Sequence, residues 1–168
     1  MINTKQMVIA WDLDETLVDS SHRIRFKSNG EFDLDYWRET SKDWDIISKD
    51  KLLPLSELYY EFKKTGFSQI CVTARKMEDL DYRFLEEYGF EFDMILHREN
   101  SLELDEILKS KRLKEYFDES DKIPFMAYDD KQENLEIFDR FGFRTFHAKY
   151  MNAKLKYGEL SKSPKDFI

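Results

Sequence analysis

A few short stretches of this chain carry groups able to do ionic chemistry. Asp12, Asp14 and Thr16 lie in WDLDETL, and Thr73 and Arg75 lie in CVTAR. Arg98 lies in LHRE, Lys109 follows it, and Asp129 and Asp130 lie in AYDDKQEN. Carboxylates gathered at one point repel one another unless something neutralises them. A hard divalent cation does so, and Mg²⁺ is served by two or three protein oxygens plus waters. Thr16, Thr73, Arg75, Arg98 and Lys109 are donors or cations, suited to a dianionic phosphate held against that metal. Together these are the parts of a phosphoryl-transfer site. One carboxylate can attack phosphorus to give an aspartyl-phosphate. A second can protonate the leaving oxygen and then activate water. Residues two apart on an extended strand end point the same way, so Asp12 and Asp14 suit both roles. Taken singly, each piece has a plainer reading: D-x-D arises by chance, and Asp129–Asp130 reads as a helix N-cap. Lys109 reads as a solvated helix charge, with Lys111 as the alternative lysine.

The elements between these stretches decide whether they meet. Met7–Trp11, Ile70–Val72, Phe92–Leu96, Ile123–Tyr128 and Phe143–His147 are short apolar runs that suit buried strands. Pro54–Lys64 carries Leu55, Leu58, Tyr59 and Phe62 at helical spacing, with Gly66 as a stop. Met77, Leu80, Phe84 and Tyr88 repeat likewise before Gly89; a longer helix holds Ile107, Leu108, Leu113, Tyr116 and Phe117, and a short one holds Leu135 and Phe138 before Gly142. This alternation predicts an α/β fold, a parallel sheet sandwiched by helices and joined by right-handed crossovers. In such sheets ligands bind at the carboxyl ends of the strands. Every predicted strand end except the fifth delivers an ionic or hydroxyl group there. Residues 19–50 break the alternation and hold Phe26, Phe32, Tyr36, Trp37 and Trp44 among many charges. A structureless loop of that length is unusual. It reads as a small inserted cap or flap after the first strand, its aromatics packing onto the main domain or lining the pocket mouth. Residues 1–150 form one domain in this reading, and residues 151–168 are an unassigned tail.

Composition narrows the function. The 168 residues include 27 Lys and Arg against 35 Asp and Glu, a net charge of -8. That argues against gripping an extended duplex, which needs clustered cations; a small or end-on phosphate substrate fits better. A single cysteine, Cys71, excludes internal disulfides and multi-cysteine metal sites and is expected to be a small buried apolar residue. His22, His97 and His147 lack zinc-type spacing, and the first two are expected at the surface or behind the site. The glycines form neither a dinucleotide-binding fingerprint nor a P-loop. Acids interrupt the first apolar run, so neither a signal peptide nor a membrane span is expected, and a reducing, cytoplasmic setting is the default.

The stretches VIAWDLDETL, CVTAR, Lys109 and AYDD resemble the motifs of the haloacid dehalogenase superfamily of phosphohydrolases, over about Met7 to Phe146. The resemblance implies a Rossmannoid fold, with Asp12 as nucleophile and Asp14 as general acid and base. It also implies phosphate binding by Thr73 and Lys109. Mg²⁺ would be held by the Asp12 carboxylate, the Asp14 backbone carbonyl and the acidic pair, Asp130 favoured over Asp129. A closer likeness is to the 3′-phosphatase domain of phage-type polynucleotide kinase-phosphatases. It rests on Arg75 two residues after Thr73, on His97-Arg98-Glu99, on Asp105 four residues before Lys109, and on Asp129-Asp130-Lys131. This likeness implies that Arg75 and Arg98 contact phosphate or substrate. The chain departs from it in having no kinase half, a longer insert, and Glu15 where the superfamily often has glycine. The expected activity is a Mg²⁺-dependent phosphomonoester hydrolase acting on nucleotides or 3′-phosphate ends. A mononucleotide phosphatase similar to the deoxyribonucleotidases fits the small insert equally. The rivals are a catalytically silent nucleotide-binding relative, a receiver domain and a D-x-D glycosyltransferase; the motif order opposes the receiver domain, and the short chain with its early motif opposes the transferase.

Overall fold

The computed structural model describes residues 3–160 and 162–168. Its first strand, β1 (Met7–Trp11), is the centre of a five-stranded parallel sheet. Two further strands, β2 (Val18–Asp19) and β3 (Lys51–Leu52), form a separate antiparallel pair. The main sheet is completed by β4 (Ser68–Val72), β5 (Met94–Leu96), β6 (Ile123–Asp129) and β7 (Arg144–His147), in the order β5-β4-β1-β6-β7. The chain runs outward from β1 on one side and then returns to build the other side. The strand order therefore reverses at β1, and the crevice at its carboxyl end is a binding position by topology alone.

The apolar runs form strands because both of their faces are covered. Along β1, Ile9 and Trp11 join one core while Val8 and Ala10 join the other. The first core packs helix α3 (Leu55–Lys64), through Leu55, Leu58, Tyr59 and Phe62, and helix α4 (Asp79–Glu87), through Phe84 and Leu85. The second packs helix α5 (Asp105–Asp118), through Leu113, and helix α6 (Gln132–Arg140), through Phe138. Trp11 is fully buried, stacks on Tyr128 at 4.3 Å and donates its indole N–H to Gln69 Oε1 at 2.8 Å. That bond satisfies the one polar atom of the largest core ring. The predicted stops Gly66 and Gly142 have φ of +83° and +94°, the left-handed conformation that closes a helix without a Cβ clash.

The base of the insert is the β2–β3 pair, in which Val18 lies opposite Leu52 and Asp19 opposite Lys51. It is built from a 3₁₀ turn (Ser21–Arg23), a hairpin closed by a Phe26–Phe32 bridge, and helices α1 (Leu34–Thr40) and α2 (Trp44–Ile47). Asp33 and Asp43 start the two helices by accepting backbone hydrogen bonds from Tyr36 and Asp45. Arg23 ties the insert together. Its guanidinium is fully buried, bonds both oxygens of Asp50 at 3.2 and 3.1 Å, and donates to Ser41 Oγ at 3.1 Å.

The segment left unassigned by sequence begins inside a helix. Helix α7 (Ala148–Lys156) buries Ala148, Met151 and Leu155 in the first core, and Phe167 joins the same core. Within it, Asn152 Oδ1 accepts from the Leu55 amide at 2.8 Å, and its Nδ2 donates to the Thr16 carbonyl at 3.0 Å. One side chain thus holds the start of α3 against the loop that follows β1. Replacing Asn152 with alanine strands a buried amide and a buried carbonyl, at about 1–3 kcal/mol each. Urea denaturation of Asn152→Ala should show a loss of roughly 2–6 kcal/mol; a change below about 0.5 kcal/mol would mean the bonds are compensated.

Candidate active site

The carboxyl end of β1 places Asp12 beside Asp129. The Asp12 amide continues the ladder by donating to the Tyr128 carbonyl at 2.9 Å. Between the two carboxylates sits Lys109, its Nζ 2.8 Å from Asp12 Oδ1 and 2.5 Å from Asp129 Oδ2. Helix α5 delivers it because Lys109 and Leu113, four residues apart, lie on the same buried stripe. The rest of the cluster is hydrogen-bonded. Thr16 Oγ1 donates to Asp12 Oδ2 at 3.2 Å, and Asp129 accepts from the Lys131 amide at 2.9 Å and from Asn134 Nδ2 at 3.0 and 3.2 Å.

Asp14 is held in a different ionic pair. Its carboxylate accepts both Nε and Nη2 of Arg75, and Ser20 Oγ donates to it at 2.8 Å. Arg75 also bonds Asp81 on α4 at 2.6 Å, and its Nη2 lies 3.9 Å from Asp50 of the insert. Thr73 Oγ1 accepts from the Arg75 amide at 3.1 Å, which folds the CVTAR stretch onto itself. The D-x-D carboxylates therefore share a loop but not a partner, because β1 ends at Trp11 and the chain turns sharply after Asp14. Leu13 O accepts from the Thr16, Leu17 and Val18 amides in that turn, and Glu15 takes φ of +57°. A left-handed residue at this point accounts for the glycine often found there in the superfamily.

Arg98 is fully engaged. It donates to the carbonyls of Ala74 (2.8 Å), Ser101 (3.2 Å) and Glu103 (2.6 Å) and pairs with Asp105 at 2.7 Å. Asp105 also takes Lys131 at 2.5 Å. The Arg98–Asp105–Lys131 chain thus braces three loops around the site. Neither Lys111 nor the histidines joins the acid cluster: Lys111 lies 3.9 Å from Glu103, and His22 bonds Asp50 at 2.7 Å. His97 Nδ1 is near the Met77 and Glu99 amides. Cys71 is buried, with its thiol pushed well up by desolvation.

Charge divides the site in two. Burial, together with Asp129, raises Asp12 well above the usual carboxylate range despite Lys109. Burial and Asp129 likewise raise Asp130. Burial would also raise Asp14, but the Arg75 guanidinium and the Ser20 hydroxyl hold it below that range. Asp12, Asp129 and Asp130 each offer a carboxylate oxygen within 4.8 Å of the others. Three acids with one buried ammonium leave an excess of negative charge, and oxygen donors of this kind fit a hard divalent cation.

Several participants escaped the sequence reading. Arg23 and Asp50 lie 27 residues apart inside the insert and carry no motif. Lys149 sits 3.9 Å from Asp130, so the fifth strand end, which looked empty, does supply a cation. Asn134 had a readable signal, lying one helical turn after Asp130. Asp81 had another, because it forms a capping box with Glu78 at the start of α4.

The five-stranded parallel sheet, with acids gathered at the carboxyl end of its central strand, has the fold of haloacid dehalogenase-like hydrolases. The chain is similar to a haloacid dehalogenase-like hydrolase of Streptococcus pneumoniae, with a TM-score of 0.56 and 15% identity over 92% of each chain. It is also similar to a chain of the Pnkp1/Rnl/Hen1 RNA repair complex, with a TM-score of 0.65 and 20% identity over 87% of this chain. There it spans only 43% of the larger polypeptide. Among curated proteins it matches the 5′-deoxynucleotidase of Escherichia phage T5 at 28% identity, over 90% of this chain and 70% of the relative. The bacteriophage T5 5′-deoxynucleotidase family model matches residues 1–166, and the chain belongs to that family.

The depressed carboxylates give a pH signature. Asp14 and Asp105 bind protons less readily folded than unfolded. Their contribution to stability is complete above the unfolded value of about 3.9 and is lost as the pH falls through their folded values. Urea midpoints should fall on acidification below about pH 4, and Asp14→Asn should flatten that dependence. An unchanged acid dependence in the variant would show that Asp14 is not held ionised.

Proposed function

We propose that the chain hydrolyses deoxynucleoside 5′-monophosphates, releasing inorganic phosphate. The observation that carries the chemistry is the convergence of Asp12, Lys109, Asp129 and Asp130 at one point of the sheet edge. The family match over residues 1–166 favours a 5′-mononucleotide over a 3′-phosphorylated end.

In this mechanism Asp12 attacks phosphorus, a P–O bond forms on its carboxylate, and the bond to the 5′ oxygen breaks. Asp14 gives a proton to the departing oxygen. It then takes one from the water that cleaves the aspartyl-phosphate. Lys109 and Thr73 hold the phosphate oxygens, with Thr16 steadying the attacking carboxylate. Arg75 holds Asp14 as a carboxylate, ready for the water step; a dianionic phosphate drawing on the same guanidinium frees Asp14 to carry a proton for the leaving group. Arg98 acts through the loop and α5 rather than at phosphorus, unless substrate displaces Asp105. Mg²⁺ would be held by Asp12, Asp129 and Asp130, with the Asp14 carbonyl, and when bound supplies positive charge for the phosphoryl oxygens. Among the described residues no helix is long and apolar enough to cross a membrane. The single buried thiol fits a reducing cytoplasm.

The decisive measurement is phosphate release from a panel of nucleoside 5′- and 3′-monophosphates, sugar phosphates and 3′-phosphorylated oligonucleotides, with Mg²⁺ and with EDTA. Deoxynucleoside 5′-monophosphates should lead the panel, and chelation should abolish turnover. Asp12→Asn should leave no measurable activity, and Asp14→Asn should lower kcat by about 10²–10⁴-fold. Full turnover by Asp12→Asn, or a preference for sugar phosphates, would sink the proposal.

A further inference from the structure

The insert presents aromatic rings to solvent in a row that begins at the catalytic loop. The Arg75 guanidinium, paired to Asp14, lies 5.3 Å from the Trp37 ring centre. Trp37 lies 6.0 Å from Phe32, and Phe32 lies 6.3 Å from Phe26 in an edge-to-face arrangement. Trp37 is already occupied, with Arg23 stacked over its ring at 4.0 Å. The two phenylalanines are not: Phe26 is 62% exposed and Phe32 is 41% exposed, and Leu34 beside them is exposed too. A contiguous apolar patch left in water marks a binding surface more often than a packing fault.

The rings are also held in place. Phe26 and Phe32 face each other across an antiparallel bridge. The turn between them is closed by Lys27 N–H to the Glu31 carbonyl at 2.7 Å and by Gly30 N–H to the Lys27 carbonyl at 2.9 Å. Asn29 Oδ1 accepts from the Glu31 amide at 3.0 Å, and Gly30 takes the φ of +84° that the turn requires. Such a turn presents its aromatic faces with little ordering left to lose on binding.

We infer that the Phe32 ring, braced edge-to-face by Phe26, is the surface on which the nucleobase of the substrate stacks while its phosphate sits at Asp12. This rests on the reading of the site as a nucleotide phosphatase. Continuity with Asp14 through Trp37 and Arg75 selects the base as the occupant, because the row starts where the phosphate end of the substrate must lie. A flat base offers the π-face that such rings take up whatever the base identity.

The test compares wild type with the Phe26→Ala/Phe32→Ala double variant, using a deoxynucleoside 5′-monophosphate and 2-deoxyribose 5-phosphate, which has the same phosphate and sugar but no base. KM for the nucleotide should rise roughly ten- to hundredfold. The base-free sugar phosphate should be turned over equally by both proteins, which also shows that the variant is folded. Phe32→Tyr, which keeps a ring, should retain the nucleotide KM. Nucleotide hydrolysis with an unchanged KM overturns the stacking surface and leaves the phosphatase reading intact. An equal loss on both substrates also overturns it. A wild-type dimer that dissociates in the double variant, with KM unchanged, assigns the patch to self-association instead. Wild-type turnover of the sugar phosphate without any nucleotide turnover overturns both readings.

Discussion

The site depends on one buried ammonium. Lys109 is almost fully enclosed and touches both Asp12 and Asp129. Taking a charge of either sign out of water costs several kcal/mol, recovered only by close, well-directed partners. Each member of this triad therefore fixes the others. Lys109 requires α5 to lie against the sheet with its Leu108–Lys109–Leu113 stripe inward. Asp12 and Asp129 require β1 and β6 to be neighbours in register, as Trp11 opposite Tyr128 makes them. Two anions and one cation leave negative charge over, and Asp130 adds more. Burial, with that surplus beside it, raises the carboxyls of Asp12 and Asp130. The cluster thus carries the surplus negative charge that suits a hard divalent cation.

A second ionic layer joins the insert to the main domain. Arg75 links Asp14 to Asp81 on α4 and reaches Asp50, while Arg23 binds Asp50 and stacks on Trp37. The loop after β1, the end of β4 and the insert consequently share one buried network. Removing a single partner would leave a charge uncompensated, which costs more than the pair itself contributes. This explains how a 32-residue insertion with a modest apolar interior holds a definite position over the sheet edge. It also places the exposed Phe26–Phe32 turn on a fixed arm rather than a loose loop.

Much of the framework was readable because it rests on local pattern. The five apolar runs became the five strands of the main sheet, and the helices between them bury most of the residues expected to face inward, although Tyr88 and Ile107 are exposed. Asp12, Asp129 and Lys109 were readable because each follows or faces a strand end. The pairing of Asp14 with Arg75 rather than with the Asp12–Asp129–Asp130 cluster was not readable, since it depends on the tight turn at Glu15. The tail resisted assignment because α7 makes sense only against α3 and the β1 loop, where Asn152 finds both of its partners.

The sequence by itself determined the order of elements, the sheet's parallel character and the chemical inventory at its carboxyl edge. Periodicity and strand-end position are properties of neighbouring residues, so they survive without coordinates. Only the tertiary structure decided which charge answers which: Lys109 to Asp12 and Asp129, Arg75 to Asp14 and Asp81, and Arg23 to Asp50. Coulombic and hydrogen-bonded pairing acts over a few ångströms of space, and the chain separations involved, up to 97 residues for Lys109 and Asp12, are set by the fold and not by the spacing of letters.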